Sequence, residues 1–496
     1  MVTTRLTCTL ALAALLAPPL AAQGDEVDSY PILVQLNQAQ LVMLAETGLL
    51  PRAFARDMAR GIQRVVNAPS KPGARRSGDY LVFEKQLIEI VGPDASKLHM
   101  GRSRIDMGAT TERMVLRDEL LAVFEELAAA RERLLELAGK NVETIIPGYT
   151  HAVQAQPTSL GHYLSAHAEA LERDADRLRS AYGRINQSPL GSAAFGTSGF
   201  PLKRERLAEL LGFPVLIENS FDATGLGTMD TKAEVAAALA ISALTLGRFA
   251  QDLVIQYSDP SPGLMLADKL TGHSSIMPQK RNPGVLERLR YTSSAVVGDA
   301  QTVWIVSHNT PVGDVGDVRA NLMNRAVLVT AGARRMYAAL REIAGGLVVR
   351  PERTLAEVDA DYSTMTELAD TLLREAGVPF RVGHEFASEL TTYGRANGKR
   401  PKDLTYSEAT EVYRKATGQK LPLTEVQFRQ AIDARFMVFN RKGRGGPQPP
   451  EVRRMLSAQQ QRVAGDQSWV KAEKGRLTAA YATLEREFKA LSEENR

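Results

Sequence analysis

Apolar residues recur at spacings of three and four through "ERMVLRDELLAVFEELAAARERLLELAGK", at Met114, Leu120, Leu121, Phe124, Leu127, Leu134 and Leu135. That period predicts an amphipathic helix from Thr111 that stops at Gly139. "LGHYLSAHAEALERDADRLRSAYGRI" repeats the pattern through Leu160, Leu164, Ala168, Leu171 and Leu178. Residues 231–258, "TKAEVAAALAISALTLGRFAQDLVIQYS", differ, because small and apolar residues surround the expected helix on nearly every side. At ~1.5 Å per residue it would be about 40 Å long, and a helix this apolar belongs inside a large bundle. One monomer has too little surface to cover it, so partner subunits are expected to do so. Asp230, Lys232, Glu234, Arg248 and Asp252 argue against a membrane span.

"DVRANLMNRAVLVTAGARRMYAALREIAGGL" predicts another long helix ending at Gly345 and Gly346. No sustained alternation of period two is bounded by turn residues, so the fold class is all-α with minor sheet. Shorter helical patterns over residues 352–455 are broken by "GVPF", "ANGKRP" and "RKGRGGPQPP" and suggest a separate small unit. The expected organisation is an N-terminal helical domain over 23–110, a central bundle over 111–351, a C-terminal domain over 352–455 and a polar, helix-prone tail over 456–496. The pattern leaves open whether the tail is solvated or binds a partner.

The N-terminus changes this picture. Arg5 precedes the apolar run "LTCTLALAALLAPPL", which is too short and too Pro-broken to span a bilayer, and "LAAQG" offers small residues for cleavage near Ala22. Residues 1–22 are therefore expected to be a secretory signal that sends the protein to an exported, periplasmic address; the alternative is a disordered or packed extension. The only cysteine, Cys8, lies in this segment, so no disulfide staples the mature chain. Of the 496 residues 44% are hydrophobic and 24% charged, which is ordinary globular composition, and the net charge of +4 becomes +3 when Arg5 is removed. That surplus is too small to argue for nucleic acid.

Candidate chemistry is concentrated in three stretches. In "GHSSIMPQKRNP", residues 272–283, Gly272 and Pro278 prevent a continuous helix, so Ser274 and Ser275 sit on a loop. Pro283 leads into a helix with Asn282 at its expected N-cap and Lys280 just before an electropositive helix end, where an anion is the expected guest. "KLHMGRSRID" packs Lys97, His99, Arg102, Ser103 and Arg104 around Gly101, and "IIPGYTHAVQAQP" brings Thr150 and His151 after a Pro-Gly turn. Such donors suit carboxylates. Taken alone, "GRSR" also reads as a solvated loop and a serine before a helix as simple capping. His162 and His167 are five apart and do not share a helix face, which argues against a metal site. His308 and His384 read as structural.

"SSIMPQKRNP" resembles the signature loop of the fumarase and aspartase superfamily. "KLHMGRSRID", "IIPGYTHAVQAQP", "SPLGSAAFGTSGFPLKRERLAELLGF" with "NSFDAT", and "TELADTLLREAGVPFRVGH" are similar, in that order, to stretches of argininosuccinate lyases. The resemblance runs from about residue 75 to 390 and more weakly to "GRGGPQPPEVRRML". It implies a homotetramer with a twenty-helix central bundle and active sites shared by three subunits. It also implies cleavage of a C–N bond in an N-substituted succinate to release fumarate, with no metal and no cofactor. Ser275 would then be the catalytic base, Lys280 the cation that activates it, and His151 paired with Glu287 the group that helps protonate the departing nitrogen. Lys280 and Asn282 would also face the aci-carboxylate, while Ser103, Arg104, Thr150 and Ser274 complete a carboxylate-binding set.

Departures fall on the amine side. Ile105 replaces an asparagine that contacts substrate in the family, Leu81 stands where the family has a histidine, and His273 is an extra residue in the signature run. Pro311, Gly316 and Arg319 stand where the family carries tyrosine, glutamine and lysine. Argininosuccinate is thus expected to be a poor substrate and another N-substituted aspartate, with an acidic or less polar amine, a better one, Arg319 favouring a carboxylate. Two competing readings are a serine–lysine hydrolase, which lacks the S-x-x-K spacing, and a non-catalytic protein on the same bundle, made thinkable by Leu81 and Ile105. The joint presence of Ser275, Lys280, Asn282, Thr150, His151 and Glu287 favours the lyase.

Overall fold

The computed structural model describes residues 28–69, 75–259 and 261–493; the leader expected over residues 1–22 lies outside the described residues. Helices α1 (Tyr30–Glu46), α2 (Arg52–Asn67) and α3 (Tyr80–Val91) pack around Leu36, Met43, Met58, Ile62 and Phe83. A short 3₁₀ turn, Pro93–His99, leads into α4 (Arg104–Lys140).

Helix α4 begins at Arg104 rather than Thr111, because Ser103 and Asp106 form a capping box. The Ser103 hydroxyl accepts from the Ile105 N–H (3.3 Å) and the Asp106 carboxylate accepts from the Ser103 N–H (2.9 Å). These bonds satisfy donors that a helix start leaves without partners. The boundary expected between residues 110 and 111 therefore falls inside one continuous helix.

Strands β1 (Ile145–Thr150) and β2 (Val153–Ser159) form an antiparallel hairpin that feeds α5 (Leu160–Ile185). Strand β3 (Gln187–Ser188), helix α6 (Arg204–Leu210) and strand β4 (Val215–Leu216) precede α7 (Asp230–Tyr257). Strands β5 (Leu264–Leu266), β6 (Gly272–His273) and β7 (Arg281–Asn282) lead to α8 (Gly284–Ser307), α9 (Gly316–Gly346) and β8 (Leu347–Val349). All four sheets among the described residues are two-stranded, as the weak period-two signal implies.

The long helices α4, α5, α7, α8 and α9 make the central bundle. Arg319–Glu112 (2.8 Å) near the start of α9 and Arg341–Glu126 (3.3 Å) near its end show α4 and α9 running parallel. Helix α8 runs the other way, its Arg288 pairing with Glu342 near the end of α9 and its Asp299 approaching Arg325 (3.6 Å) nearer the start. It lies antiparallel to α7, where the Trp304 indole N–H donates to the Ala233 carbonyl (3.1 Å) and Arg290 reaches Gln251 (3.1 Å). Helix α7 is the one described helix long and apolar enough to cross a bilayer, but it is packed by α5, α8 and α9. One face remains bare: Ile241, Leu244 (58% exposed) and Ile255 on α7 lie open, as do Tyr291 (74%) and Ile305 (73%) on α8.

The C-terminal unit comprises α10 (Pro351–Val358), α11 (Met365–Ala376), α12 (Phe380–Ala396), α13 (Tyr406–Thr417), α14 (Glu425–Ala431) and α15 (Ala434–Phe439), with a core around Leu368, Leu372, Phe386, Leu390 and Phe428. The tail is not a separate appendage starting at residue 456. It belongs to α16 (Pro449–Glu493), a helix of about 67 Å that lies along α4 and α5 and reaches the N-terminal unit. Leu456, Val463, Val470, Leu477, Leu484 and Leu491 are all buried and recur every seven residues, a spacing that keeps one seam against its neighbours.

One charged group on that seam is matched. Asp466 accepts from Arg131 (2.5 Å) and Arg179 (2.6 Å), while Trp469 packs edge-on against Phe124 and Tyr182. Arg131 is 1% exposed and keeps only Glu172, at 3.6 Å, if Asp466 is removed. Asp466→Ala should therefore cost about 3 kcal/mol in a denaturant titration, the range for leaving a buried charge without its partner. Replacing both Arg131 and Asp466 by leucine should recover much of the loss.

Candidate active site

Strands β6 and β7 clip the base of the signature loop, pairing Gly272 with Asn282 and the extra residue His273 with Arg281. Residues 274–280 protrude beyond the clip. The Ser274 hydroxyl accepts from the Met277 N–H (3.1 Å), which spends it on the turn, whereas Ser275, Lys280 and the 83%-exposed Ile276 face outward. Arg281 braces the loop by donating to the Pro278 carbonyl (2.8 Å) and approaching Asp268 (3.5 Å). Asn282 is not the N-cap of α8. Pro283 holds that position, its carbonyl accepting from the Leu286 and Glu287 N–H groups at 2.9 and 3.1 Å, because Asn282 is engaged in the strand pair. Glu287 is exposed in the first turn of α8.

Thr150 ends β1, and His151 with Ala152 forms the hairpin tip. Both tip residues are left-handed, with φ of 53° and 59°, in the pattern of a type I′ turn that normally selects glycine or asparagine. Each costs about 1–2 kcal/mol in a non-glycine residue, and such strain gathers at functional sites. His151 is exposed, and among the described residues no hydrogen bond or ion pair joins it to Glu287 or joins Lys280 to Ser275.

The third stretch separates into structural and available residues. Arg102 is buried, donates to Asn37 (2.6 Å) and lies over the Tyr80 ring (4.8 Å). His99 stacks on the same ring, and burial followed by the Arg102 charge lowers its pKa to about 4. Lys97 pairs with Asp94 at 3.0 Å. Ser103 remains half-buried at the start of α4, and Arg104 is exposed beside it.

Asp106 has a second role beyond the Ser103-x-x-Asp106 capping box that is legible in the sequence. Its second oxygen accepts from the Gly191 and Ala193 N–H groups (2.9 and 3.0 Å), tying the "GSAAFG" loop to the start of α4. Burial raises its pKa to about 6, outweighing the N–H groups of Ser103, Gly191 and Ala193 that lower it.

Arg319 is not a free guanidinium. It donates to Glu112 (2.8 Å) and Asp314 (3.2 Å), and Glu112 also accepts from Lys232 (2.7 Å), so the charge expected to draw a carboxylate is already compensated. Ile105, Met229, Val315 and Leu322 line the recess around it. Phe195 and Phe221 meet edge-on nearby and, with Val312, are exposed; Leu81 is exposed on α3.

These groups do not meet within one chain. Ser103, Arg104 and Arg319 lie at the end of the bundle where α4 and α9 begin, whereas Thr150, His151, Ser275, Lys280, Asn282 and Glu287 lie where α4 ends and α8 begins. The 37 residues of α4 separate the two ends by about 55 Å.

Comparison with known proteins gives the family. A family model described as lyase matches residues 44–298, and one described as argininosuccinate lyase C-terminal matches residues 362–438. An argininosuccinate lyase of Methanosarcina acetivorans is 34% identical over 456 residues, covering 91% of each chain. An argininosuccinate lyase 2 of Agrobacterium fabrum is 32% identical, covering 95% of this chain and 94% of that one. The crystal structure of an EDDS lyase in complex with formate superposes with a TM-score of 0.84 at 29% identity, over 94% of this chain and 92% of that one. Fold and relatives thus define a carbon–nitrogen lyase of the fumarase/aspartase superfamily, which releases fumarate. Within that class the chain belongs to the argininosuccinate lyase family.

The Asp106 anchor has a pH signature. Its carboxyl titrates at about 6 in the folded protein against an ordinary 3.8, so the folded state holds the proton more tightly. This group's contribution to stability is fully present below pH 3.8 and is lost as pH rises through about 6. Asp106→Asn should flatten the pH dependence of Tm between those values, read by thermal melts from pH 4 to 7.

Proposed function

We propose that the protein eliminates the amine from an N-substituted aspartate, other than argininosuccinate, to give fumarate. The observation that carries this reading is the division of labour within the signature stretches: Arg102, Asp106 and Ser274 are spent on structure, while Ser275, Lys280, His151 and Glu287 are exposed. Ser275 as an alkoxide takes a proton from the carbon beside a carboxylate. A serine is a weak base unless a cation favours its alkoxide, and Lys280, five residues along the same loop, supplies one. The electron pair moves into the carboxylate as an aci-carboxylate held by Lys280, Asn282 and the N–H groups opening α8. The pair then returns to form the double bond, the C–N bond breaks toward nitrogen, and His151 with Glu287 helps deliver the proton that the amine takes. Thr150, Ser103 and Arg104 hold the carboxylates.

The assembly in this reading is a homotetramer with shared sites. The five long bundle helices of each chain would make twenty in four copies. The bare face of Leu244, Tyr291 and Ile305 gives apolar surface for that contact, and the separation of about 55 Å between the two sets of groups requires contributions from different copies. Export, with the mature chain starting near Gln23, is part of the same proposal and is checked by mass spectrometry of the native protein.

The surroundings of Arg319 narrow the amine. With its charge spent on Glu112 and Asp314, and with Ile105 and exposed Phe195, Phe221 and Val312 close by, a less polar amine portion suits this side better than an acidic or guanidinium one. A neighbour with this fold is an EDDS lyase, which supports substrates beyond argininosuccinate. The names of the sequence relatives favour a second reading, argininosuccinate itself.

Absorbance of fumarate formed from argininosuccinate, EDDS, N-alkyl aspartates and N-aryl aspartates separates these readings. Argininosuccinate should show kcat/KM roughly 10²-fold below the best substrate, since each polar group without a partner costs about 1–3 kcal/mol. If argininosuccinate is the best of the panel, the second reading holds. Ser275→Ala should lower kcat at least ~10²-fold with the melting temperature unchanged.

A further inference from the structure

The hairpin bearing Thr150 and His151 grows out of the bundle but is held by the C-terminal unit. Its foot meets the bundle through the Leu160 N–H to the Thr144 carbonyl (2.8 Å), the Gly161 N–H to the Asn141 carbonyl (2.9 Å), the Thr158 hydroxyl beside His162 (2.9 Å) and Ile146, which joins the bundle core. Its other face and its outer part meet the C-terminal unit. Ile145 shares a small apolar core with Val358, Ala434 and Val438. The Gln154 amide donates to the Ser363 hydroxyl (2.6 Å) and the Val358 carbonyl (3.3 Å), and the Gln156 amide donates to the Thr366 hydroxyl (2.9 Å). The Tyr149 hydroxyl, one residue before Thr150, donates to the Glu357 carboxylate. Burial and then that bond raise the phenol pKa far above its ordinary value, so it stays a donor.

All of these side-chain acceptors lie within residues 357–366, across the turn from α10 into α11. The tip they hold contains two consecutive left-handed non-glycine residues, a conformation that persists only where the flanking structure imposes it. An imidazole displaced by about 1 Å from a reacting atom can cost 10²-fold in rate.

We propose that Glu357, Ser363 and Thr366 are positioning residues for His151, and that the C-terminal unit sets the placement of this group in the active site. The inference rests on the lyase reading above. It assigns the C-terminal unit a catalytic consequence that acts through the hairpin.

The test uses the full-length protein with Ser363→Ala/Thr366→Val, Glu357→Gln and, as a conservative control, Ser363→Thr, which keeps a hydroxyl for Gln154. The expected result is a loss of kcat of about 10- to 100-fold in the double variant, a smaller loss in Glu357→Gln and near-normal turnover in Ser363→Thr. The loss should be larger for N-aryl than for N-alkyl aspartates, because an aryl nitrogen is neutral at neutral pH and must be given a proton as it departs, whereas an alkyl nitrogen already carries one. A merely structural role would scale all substrates alike. Amide exchange should accelerate in residues 147–156 of the double variant and stay unchanged in α4. Unchanged kcat, or an equal loss for both substrate types, overturns the inference while wild-type turnover keeps the lyase reading. Wild-type protein that forms no fumarate from any member of the panel overturns both.

Discussion

Glu112 sits between Lys232 and Arg319, at 2.7 and 2.8 Å, where α4, α7 and α9 come together. Burial alone would raise the pKa of this carboxyl, but the two cations hold it below the ordinary carboxylate range, so it is ionised and committed to both. Removing one partner from such a buried cluster costs about 3–5 kcal/mol, a penalty that any slip of one helix against another would also incur. Because the three helices are long and stiff, fixing their register at one end also decides where the loops at the other end project. The placement of the Ser275 loop and the His151 hairpin therefore depends on a salt-bridged carboxylate a bundle's length away.

The same rigidity explains why one chain keeps its two sets of candidate residues apart. A helix of 37 residues cannot fold back on itself, so Ser103 at the start of α4 and Thr150 just beyond its end are held apart by the element that orders both. The proposed mechanism uses both sets and so calls on other copies, for which the bare apolar face of α7 and α8 offers surface. Helix α16 acts in the opposite sense. By packing its heptad seam along α4 and α5 and ending among Leu484, Phe488 and Leu491 in the N-terminal core, it ties N-terminal and central units into one body.

Each signature stretch mixes residues that build with residues left accessible, and burial separates them. In "GRSRID" Arg102 and Asp106 are interior, the first over Tyr80 and the second on the Gly191 loop, while Ser103 and Arg104 reach the surface. In "SSIMPQKRNP" Ser274 makes the turn and Ser275 is left free of it. Arg319 is the instructive exception: its position in the sequence suggested a free cation, and its neighbours Glu112 and Asp314 cancel that charge. Those carboxylates are 207 and 5 residues away along the chain, and only the first escapes any local reading.

The sequence by itself determined the all-α class, the long bundle helices and the loop character of residues 272–283, because each depends on local periodicity or on glycine and proline, which act within a few residues. It also carried the ordered series of stretches by which the family is recognised. It could not reveal the hairpin tip, since "THAV" contains neither glycine nor asparagine and the left-handed pair is imposed by Tyr149, Gln154 and Gln156 bonding to a distant unit. It understated α16, where one apolar residue in seven is too sparse to register as a helix face until the grooves of α4 and α5 receive it. The buried register ion cluster and the separation of the two sets of candidate residues were decided by tertiary structure alone, because both arise from which helices run parallel, and direction in space is not written in the spacing of residues along one chain.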